Sequence, residues 1–598
     1  MGSDQKKIVP INYTNREFES IRQDLLEIAE RFYPESFQDF SEASFGSLMV
    51  DSVAYIADQL SFYMDYNINE SFLDTAYQYN NVLRIGRAMG YKFTGRPSTY
   101  GSVGLFVLVP ASPTGVGPDR NYIPILKRGS RFTSDNNLNF VLLENVDFAN
   151  PEYPIVVARV NTTTGAPLYY AIKAYASVVS GYFGRTDIVT GPYERFKRIR
   201  LSIPNIAEIV SVFDSQGQEY FEVDYLSQDI VYKEVVNQNY KNDNVPSILK
   251  PFLVSRKFIV ERDRLNTYIQ FGSGDAAESD VVTDPQSVVM EIFGKNYTSD
   301  TTFDPTRLSK NKSLGIVPAN TTLSIAYRVT NPANSNVAVG SLNNVAHALT
   351  EFADQSILDV DEISNVISSF EVSNEEPIVG DVSYADTGEI KRRIFDTFPT
   401  QNRAVTQTDY ENLSYRMPAK YGSIKRVSAQ RDPDSKKRNL DLYVISEDSF
   451  GNLAVTNSTI KKNLKTWLNQ HRMINDTVDI VDPYIINFGI EFIVKPSAGA
   501  DKFSTLNKAV GALKDKYNVS LYIGEPIYLS DIYEALKQVD GVLDVVKVKL
   551  VNKTGANYSN ASLTIDKNLS PNGDYLIIPK NAVAELKYPE VDIKGKVR

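Results

Sequence analysis

Three features of the sequence predict a multidomain α+β protein. An N-terminal stretch has apolar residues at helical spacing, a long middle alternates strand-like runs with Gly and Pro turns, and the C-terminal part mixes both periods. At 598 residues one hydrophobic core is too few, and about 100–200 residues per domain gives roughly three to five. The composition shifts divide the chain into an N-terminal helical bundle (1–92), two β-rich domains (93–198 and 199–345) and a central helix–hairpin module (346–450). A C-terminal α+β sandwich (451–551) and an extended arm (552–598) follow.

The totals exclude several function classes. Hydrophobic content of 42% with 23% charged residues is ordinary for globular chains. A net charge of −10 argues against nucleic-acid wrapping, which calls for a basic domain or stripe. The absence of Cys excludes disulfides, thiolate metal sites and cysteine nucleophiles. Only His347 and His471 are available for imidazole chemistry, and they lie far apart in sequence. No apolar run approaches the length of a membrane span, the first residues lack an apolar signal region, and Lys6 breaks a myristoylation pattern, so a protein kept in the cytoplasm, or in a particle assembled there, is expected. The 36 tyrosines suit protein–protein contact, or half-buried strand positions.

In the first 90 residues Thr14-x-x-Glu17 reads as a capping box before Phe18, Ile21, Leu25, Ile28 and Phe32, a 3-4 seam. A second helix carries Phe45, Met49, Val53, Ile56, Leu60 and Tyr63 at similar spacing, and a third runs from about Thr75 to Met89, ending at Gly90. Two readings stand: a three-helix domain packed on itself, or a seam left for a partner helix that completes a bundle. The partner-interface candidates are Phe18, Ile21, Leu25, Ile28, Phe32, Met49, Val53, Ile56, Leu60 and Tyr63.

From Tyr91 the pattern turns to strands such as Val103–Val109, with turns at Gly129 and at Gln216-Gly217. Gly272-x-Gly274 lacks the strand–turn–helix setting and the Lys-Ser/Thr of a phosphate loop, so it reads as a turn that only glycine tolerates. Next, Ile390, Ile394, Phe395 and Phe398 form a helical face stopped by Pro399. Thr406 and Asp409 cap a second helix bearing Tyr410, Leu413 and Met417, ended by Pro418 and Gly422. Strands Ile424–Ala429 and Leu440–Ile445 flank a polar tip, Arg431–Asn439.

Toward the C-terminus Leu464, Trp467 and Leu468 mark a helix. Ile486, Phe488, Ile490, Phe492 and Val494 then form the clearest alternating strand in the chain. Ser504 is expected to cap a helix with Leu506, Val510, Leu513 and Tyr517. Pro526 and Ser530 introduce another with Ile532, Leu536 and Val539, and Val546, Val548 and Leu550 alternate in a returning strand. Strand–helix–helix–strand suggests a small ferredoxin-like sandwich. The arm is expected to hold short strands near Ala561–Ile565 and Tyr575–Ile578.

The run RAVTQTDYENLSYRMPAKYGSIKRVSA (Arg403–Ala429), preceded by GEIKRRIFDTF and followed by LDLYVIS, resembles the baseplate J family of contractile-tailed phages. Within that family it is similar to the wedge proteins that ring the hub in large myoviruses. LSIAYRVTNPANSNVAVGSLNNV (Leu323–Val345) resembles the family too, with Asn331-Pro332 where the family has Gly-Gly. The resemblance implies a structural subunit of a tail baseplate in the virion, assembled in the host cytoplasm. Two copies per wedge would meet each other and other baseplate wedge proteins through a shared N-terminal bundle. Copies from adjacent wedges would close a ring around the tail hub, near sheath-proximal proteins, and rearrange when the sheath contracts.

No catalytic, cofactor-binding or metal-ligating residue is expected, nor is nucleic acid or membrane insertion. Asp359, Asp361 and Glu362, and Asp432 with Asp434, could serve glycoside hydrolysis or hold a divalent ion, but neither group matches a calcium loop. Lys436-Lys-Arg438 reads as a charged hairpin turn. The alternatives are a wedge subunit of a bacterial contractile injection system or tailocin, and a glycan-binding or hydrolytic tail protein.

Overall fold

The architecture is that of a computed structural model, which describes residues 17–33, 35, 44–113, 117–236, 247–263, 266–275, 314–331, 334–355, 358–432, 439–517 and 520–598. Thr14, Pro332, Asp434 and Lys436–Arg438 lie outside the described residues. The chain is mixed α+β, with a helical N-terminal region followed by a β-rich body. Among the described residues the α-helices are α1 (Phe18–Phe32), α2 (Phe45–Asn69), α3 (Tyr79–Ala88), α4 (Val360–Ser368), α5 (Thr387–Thr400), α6 (Gln407–Tyr415), α7 (Ser458–Asn469), α8 (Lys502–Lys516), α9 (Leu529–Lys537), α10 (Ile565–Asn568) and α11 (Pro589–Asp592). Two compact units form, Met1–Tyr91 with Ala385–Phe395, and Lys92–Tyr384 with Asp396–Arg598.

In the first unit Ser44 caps α2 by accepting from Ser47 N–H, whereas Glu17, expected inside α1, is its N-cap residue and makes no side-chain cap. Helix α3 is shorter than expected and closes at Gly90, whose φ of 91° suits glycine. Gly86 of α3 lets Ile394 approach closely: a Cβ built there would lie 2.6 Å from Ile394 Cδ1. Ala76, Val82, Ile390 and Ile394 are buried here. Phe395 and Phe398 depart from expectation and are exposed. At about 100° per residue Phe398 lies roughly 60° from the centre of the Ile390–Ile394 stripe, at its rim, and Phe395 roughly 120° from it, on the outer side. Pro399 falls inside the last turn of α5 rather than stopping it.

The second unit contains two seven-stranded sheets. One runs, in spatial order, 342–347, 131–134, 139–142, 167–180, 100–110 and 371–373, with 155–160 paired to 167–180. Its core draws on both ends of this span: Leu105, Val107, Phe132, Phe140, Ile172 and Leu342 pack with Val366 of α4 and Phe370. The expected cuts at 198 and 345 therefore do not match this sheet, because antiparallel ladders join residues far apart in sequence. The other sheet runs 182–189, 322–329, 206–213, 219–222, 257–262, 267–271 and 198–201, and the hairpin turn at Gly217 is present with φ 79°. Gly181 carries the chain from the first sheet into the second. A Cβ there would sit 1.8 Å from Val329 O, so no other residue fits. Beside it Arg328, fully buried, donates to Ser98 Oγ and Ser180 O (both 2.9 Å) and to Glu208 Oε1 (3.1 Å).

The second helix and the hairpin of the central stretch form. Thr406 and Asp409 make a reciprocal capping box on α6, and Tyr410, Leu413 and Met417 are buried. Strands 426–431 and 439–447 pair from Arg426↔Ile445 to Arg431↔Leu440. They share a core with α7, whose Leu464 and Leu468 are buried.

In the C-terminal core Ile486, Phe488, Ile490, Phe492 and Val494 all face inward from strand 484–496, under α8 and α9. Asp501, not Ser504, caps α8, accepting from Ser504 N–H. In the returning strand 542–552 a bulge pairs Ile493 with Lys547 but Val494 with Val545, so Val546 is turned outward against expectation. Residues 552–598 are not an arm. Strands 582–585 and 593–597 run parallel to 484–496, and Leu576, Ile578, Ala584 and Ile593 complete the core. The sheet is thus extended by parallel strands and is not ferredoxin-like. Ile565 begins α10 rather than ending a strand, while Tyr575–Leu576 does pair with Ile527–Tyr528.

Candidate functional site: an uncovered apolar helix

Helix α2 has no Lys or Arg, and its acids Asp51, Asp58 and Asp65 recur every seven residues. Together with Ser47, Ala54 and Ser61 they make a small and acidic stripe at spacings of 3 and 4. Ser47 and Ala54 are buried, the others half-buried, and Arg22 of α1 donates from Nε to Asp51 Oδ1 (2.6 Å). Small residues let two helices approach closely, and one ion pair fixes their register.

The apolar stripe lies on the opposite side, roughly 180° around the helix from Ala54. Met49, Val53, Ile56, Leu60 and Tyr63 are each 48–58% exposed. Leu48, Tyr55, Phe62, Met64 and Ile68 widen the exposed surface, and Phe62 stacks on Tyr66 (6.3 Å between centroids). These side chains make a run of exposed apolar surface along one side of α2. Of the α1 candidates, Phe18, Ile21 and Leu25 are half-buried, while Ile28 and Phe32 are exposed. The ten candidates therefore do not form one surface: the α1 set partly packs within its unit, and the α2 set does not.

The α2 C-terminus is anchored by Glu70, whose carboxylate accepts from Asn81 Nδ2 (2.9 Å), Tyr77 N–H (2.8 Å) and Gln78 N–H (3.1 Å). The Asn81 hydrogen bond is the largest of the causes holding its pKa below the ordinary 4.5. Lys391 Nζ donates to Asp74 O (2.8 Å) in the same region. The stripe is thus carried on a helix held near its N-terminal end by Arg22 and at its C-terminal end through Glu70.

The other expected features have structural duties. Asp359 caps α4, and Glu362 accepts from Tyr169 O–H (3.2 Å). Asp432 accepts from Asn439 Nδ2 (3.2 Å). His471 Nδ1 is 3.0 Å from Asn402 O, and its ring lies edge-on to Trp467 at 4.4 Å; burial lowers its pKa from 6.5. Gly272 is required by close approach rather than by φ, since a Cβ would lie 2.3 Å from Leu314 O. Among the described residues no group of three His, Asp or Glu could hold a metal, and no helix is long and apolar enough to cross a membrane.

Residues 17–88 match the family model for the bacteriophage baseplate protein, N-terminal domain. This stretch of the chain is similar to baseplate proteins. The match spans α1 to α3, including the free stripe, and lies apart from Arg403–Ala429, which carries the resemblance to the baseplate J family. No curated protein matches the chain significantly. Among solved structures, a chain of the six-fold symmetrised anti-feeding prophage baseplate is 10% identical, covering 94% of this chain and 90% of that one at a TM-score of 0.25. A chain of the type VI secretion TssK-TssF-TssG baseplate subcomplex is 8% identical, covering 73% and 96% at a TM-score of 0.23. Neither likeness carries weight at such scores.

Proposed function

We propose that this chain is a structural, non-enzymatic subunit of a contractile-tail baseplate, joined to its neighbours through α2. One observation carries the reading: the uncovered apolar stripe Met49–Tyr63 lies within the residues that match the baseplate N-terminal model. A helix from a second copy or from another baseplate protein would cover it and complete a bundle. The resemblance of Arg403–Ala429 to the baseplate J family supports the finer reading of a wedge subunit. In that reading copies close a ring around the hub and rearrange when the sheath contracts, and the β-rich body serves as the spacer. The cap of Asp359 and the Glu362–Tyr169 bond give those acids a structural use that fits such a role.

Leu60→Asp tests it, because the position is exposed in the single chain but would be buried in a bundle. The variant should keep the far-UV circular dichroism of the parent while losing mass by light scattering and failing to enter reconstituted baseplates. Unchanged mass and normal assembly would sink the proposal. Leu25 is the poorer target, since it is half-buried within its own unit.

A further inference from the structure

The strand Tyr182–Val189 ends its seven-stranded sheet and, among the described residues, pairs only with Thr322–Val329. The ladder has no bulge along its length. Thr190 N–H donates to Thr321 O, and Gly181 N–H points the other way, to Asn139 O. By alternation, even-numbered residues bond to 322–329, and Phe183, Arg185, Asp187 and Val189 turn their N–H and C=O groups to the open edge. Among the even-numbered side chains Ile188 packs against the core and Thr186 Oγ1 is 2.9 Å from Tyr327 Oη, while Tyr182 at the strand's start is 44% exposed. On the odd face Arg185 and Asp187 are exposed and pair with each other (Nε to Oδ1, 3.5 Å), Val189 is 78% exposed, and Phe183 is half-buried beneath Arg128, 5.7 Å from its ring centroid.

Open strand edges are ordinarily blunted. Ile155–Val160 is interrupted at Ala158, and strands 542–552 and 593–597 carry Lys547, Lys549, Lys594 and Lys596. Tyr182–Val189 has instead one charge of each sign, two residues apart on the same face. We propose that two copies of this chain pair antiparallel along this edge, about a two-fold axis through Thr186. Only odd residues have free main-chain groups, so odd must face odd. Centred on Thr186, Arg185 faces the partner's Asp187 and Asp187 faces the partner's Arg185, while Phe183 faces the partner's Val189. Moving the centre by one residue either way sets Arg185 against the partner's Arg185, or Asp187 against the partner's Asp187. The charges therefore select one register, as opposite-charge and aromatic–β-branched pairs favour it and like charges oppose the others. The contact is isologous and separate from α2, so it needs no part of the baseplate reading; with α2 it would give the chain two different self-contacts.

The chain has no cysteine, which makes the test clean. At the two-fold centre the Cα atoms of a facing pair would be about 4.5 Å apart, within disulfide reach. Full-length Thr186→Cys should therefore oxidise to a covalent dimer much faster than Ile474→Cys, an almost fully exposed control. Arg185→Asp or Asp187→Arg should each weaken self-association by about tenfold, and the double reversal should restore it. The same results should hold with Leu60→Asp added, which separates this contact from α2. If Thr186→Cys perturbs folding, an Arg185→Cys chain mixed with an Asp187→Cys chain should crosslink only in the mixture. Crosslinking no faster than the control, single reversals without effect, or a double reversal that fails to restore association would each overturn the pairing.

Discussion

Helix α2 and strand 484–496 carry equally regular apolar patterns, one at helical spacing and one at every second residue. Their fates differ. Ile486 to Val494 vanish beneath α8 and α9, whereas Met49 to Tyr63 stay open. Periodicity states which residues share a face; it does not state whether the chain supplies the cover. In α2 the sheltered side is the small, acidic stripe of Ser47, Asp51 and Ala54, the opposite of what hydrophobicity alone would choose.

The contrast can be broken most forcefully in the strand. Phe492→Ala should destabilise the chain by about 3–5 kcal/mol, read as a shift in denaturant midpoint, because it opens a cavity in a closed core. A loss under about 1 kcal/mol would mean that α8 and α9 do not hold this core shut. Thr406→Ala should cost about 1 kcal/mol by removing half of a capping box on α6, and Thr406→Ser should recover most of it.

A smaller effect comes from His471. Burial holds its folded pKa below 6.5, so the unfolded chain takes up the proton first as pH falls. Its contribution to stability is therefore whole above that value and declines as pH drops through 6.5 toward the folded pKa. The neighbouring Trp467 is the sole tryptophan, so its emission should report the folded titration, with a midpoint below 6.5. His471→Gln should remove that transition; a midpoint at or above 6.5 would contradict the burial argument. Smallest of all should be the effect of Ile56→Asp on the unfolding midpoint of the separate chain, within about 0.5 kcal/mol, since the side chain is already in water. A large loss there would show that the chain covers α2 in solution, and the comparison with strand 484–496 would collapse.

Local chemistry was legible wherever neighbours in sequence decide the outcome. The capping box of Thr406 and Asp409, the turn at Gly217 and the inward face of Ile486–Val494 follow from residues a few positions apart. Readings failed where a distant partner decides. Val546 points outward because a bulge against strand 484–496 shifts its register, and no residue nearby announces it. Residues 552–598 look like a polar arm, yet Leu576, Ala584 and Ile593 find a core built mostly upstream. Of the candidate site, the α2 stripe was readable, while the sharing-out of α1 was not, because Leu25 and Ile28 differ only in what lies across from them.

By itself the sequence determined the α+β class, most helix and strand faces, the caps within α6 and an apolar N-terminal stripe. Those depend on backbone geometry and spacing, which act over one or two turns. Tertiary structure alone decided the discontinuous first sheet, the docking of the C-terminal strands, and which edges remain open. Such pairings join residues about one hundred to two hundred positions apart, where a match is settled by which surfaces remain uncovered once the rest has folded.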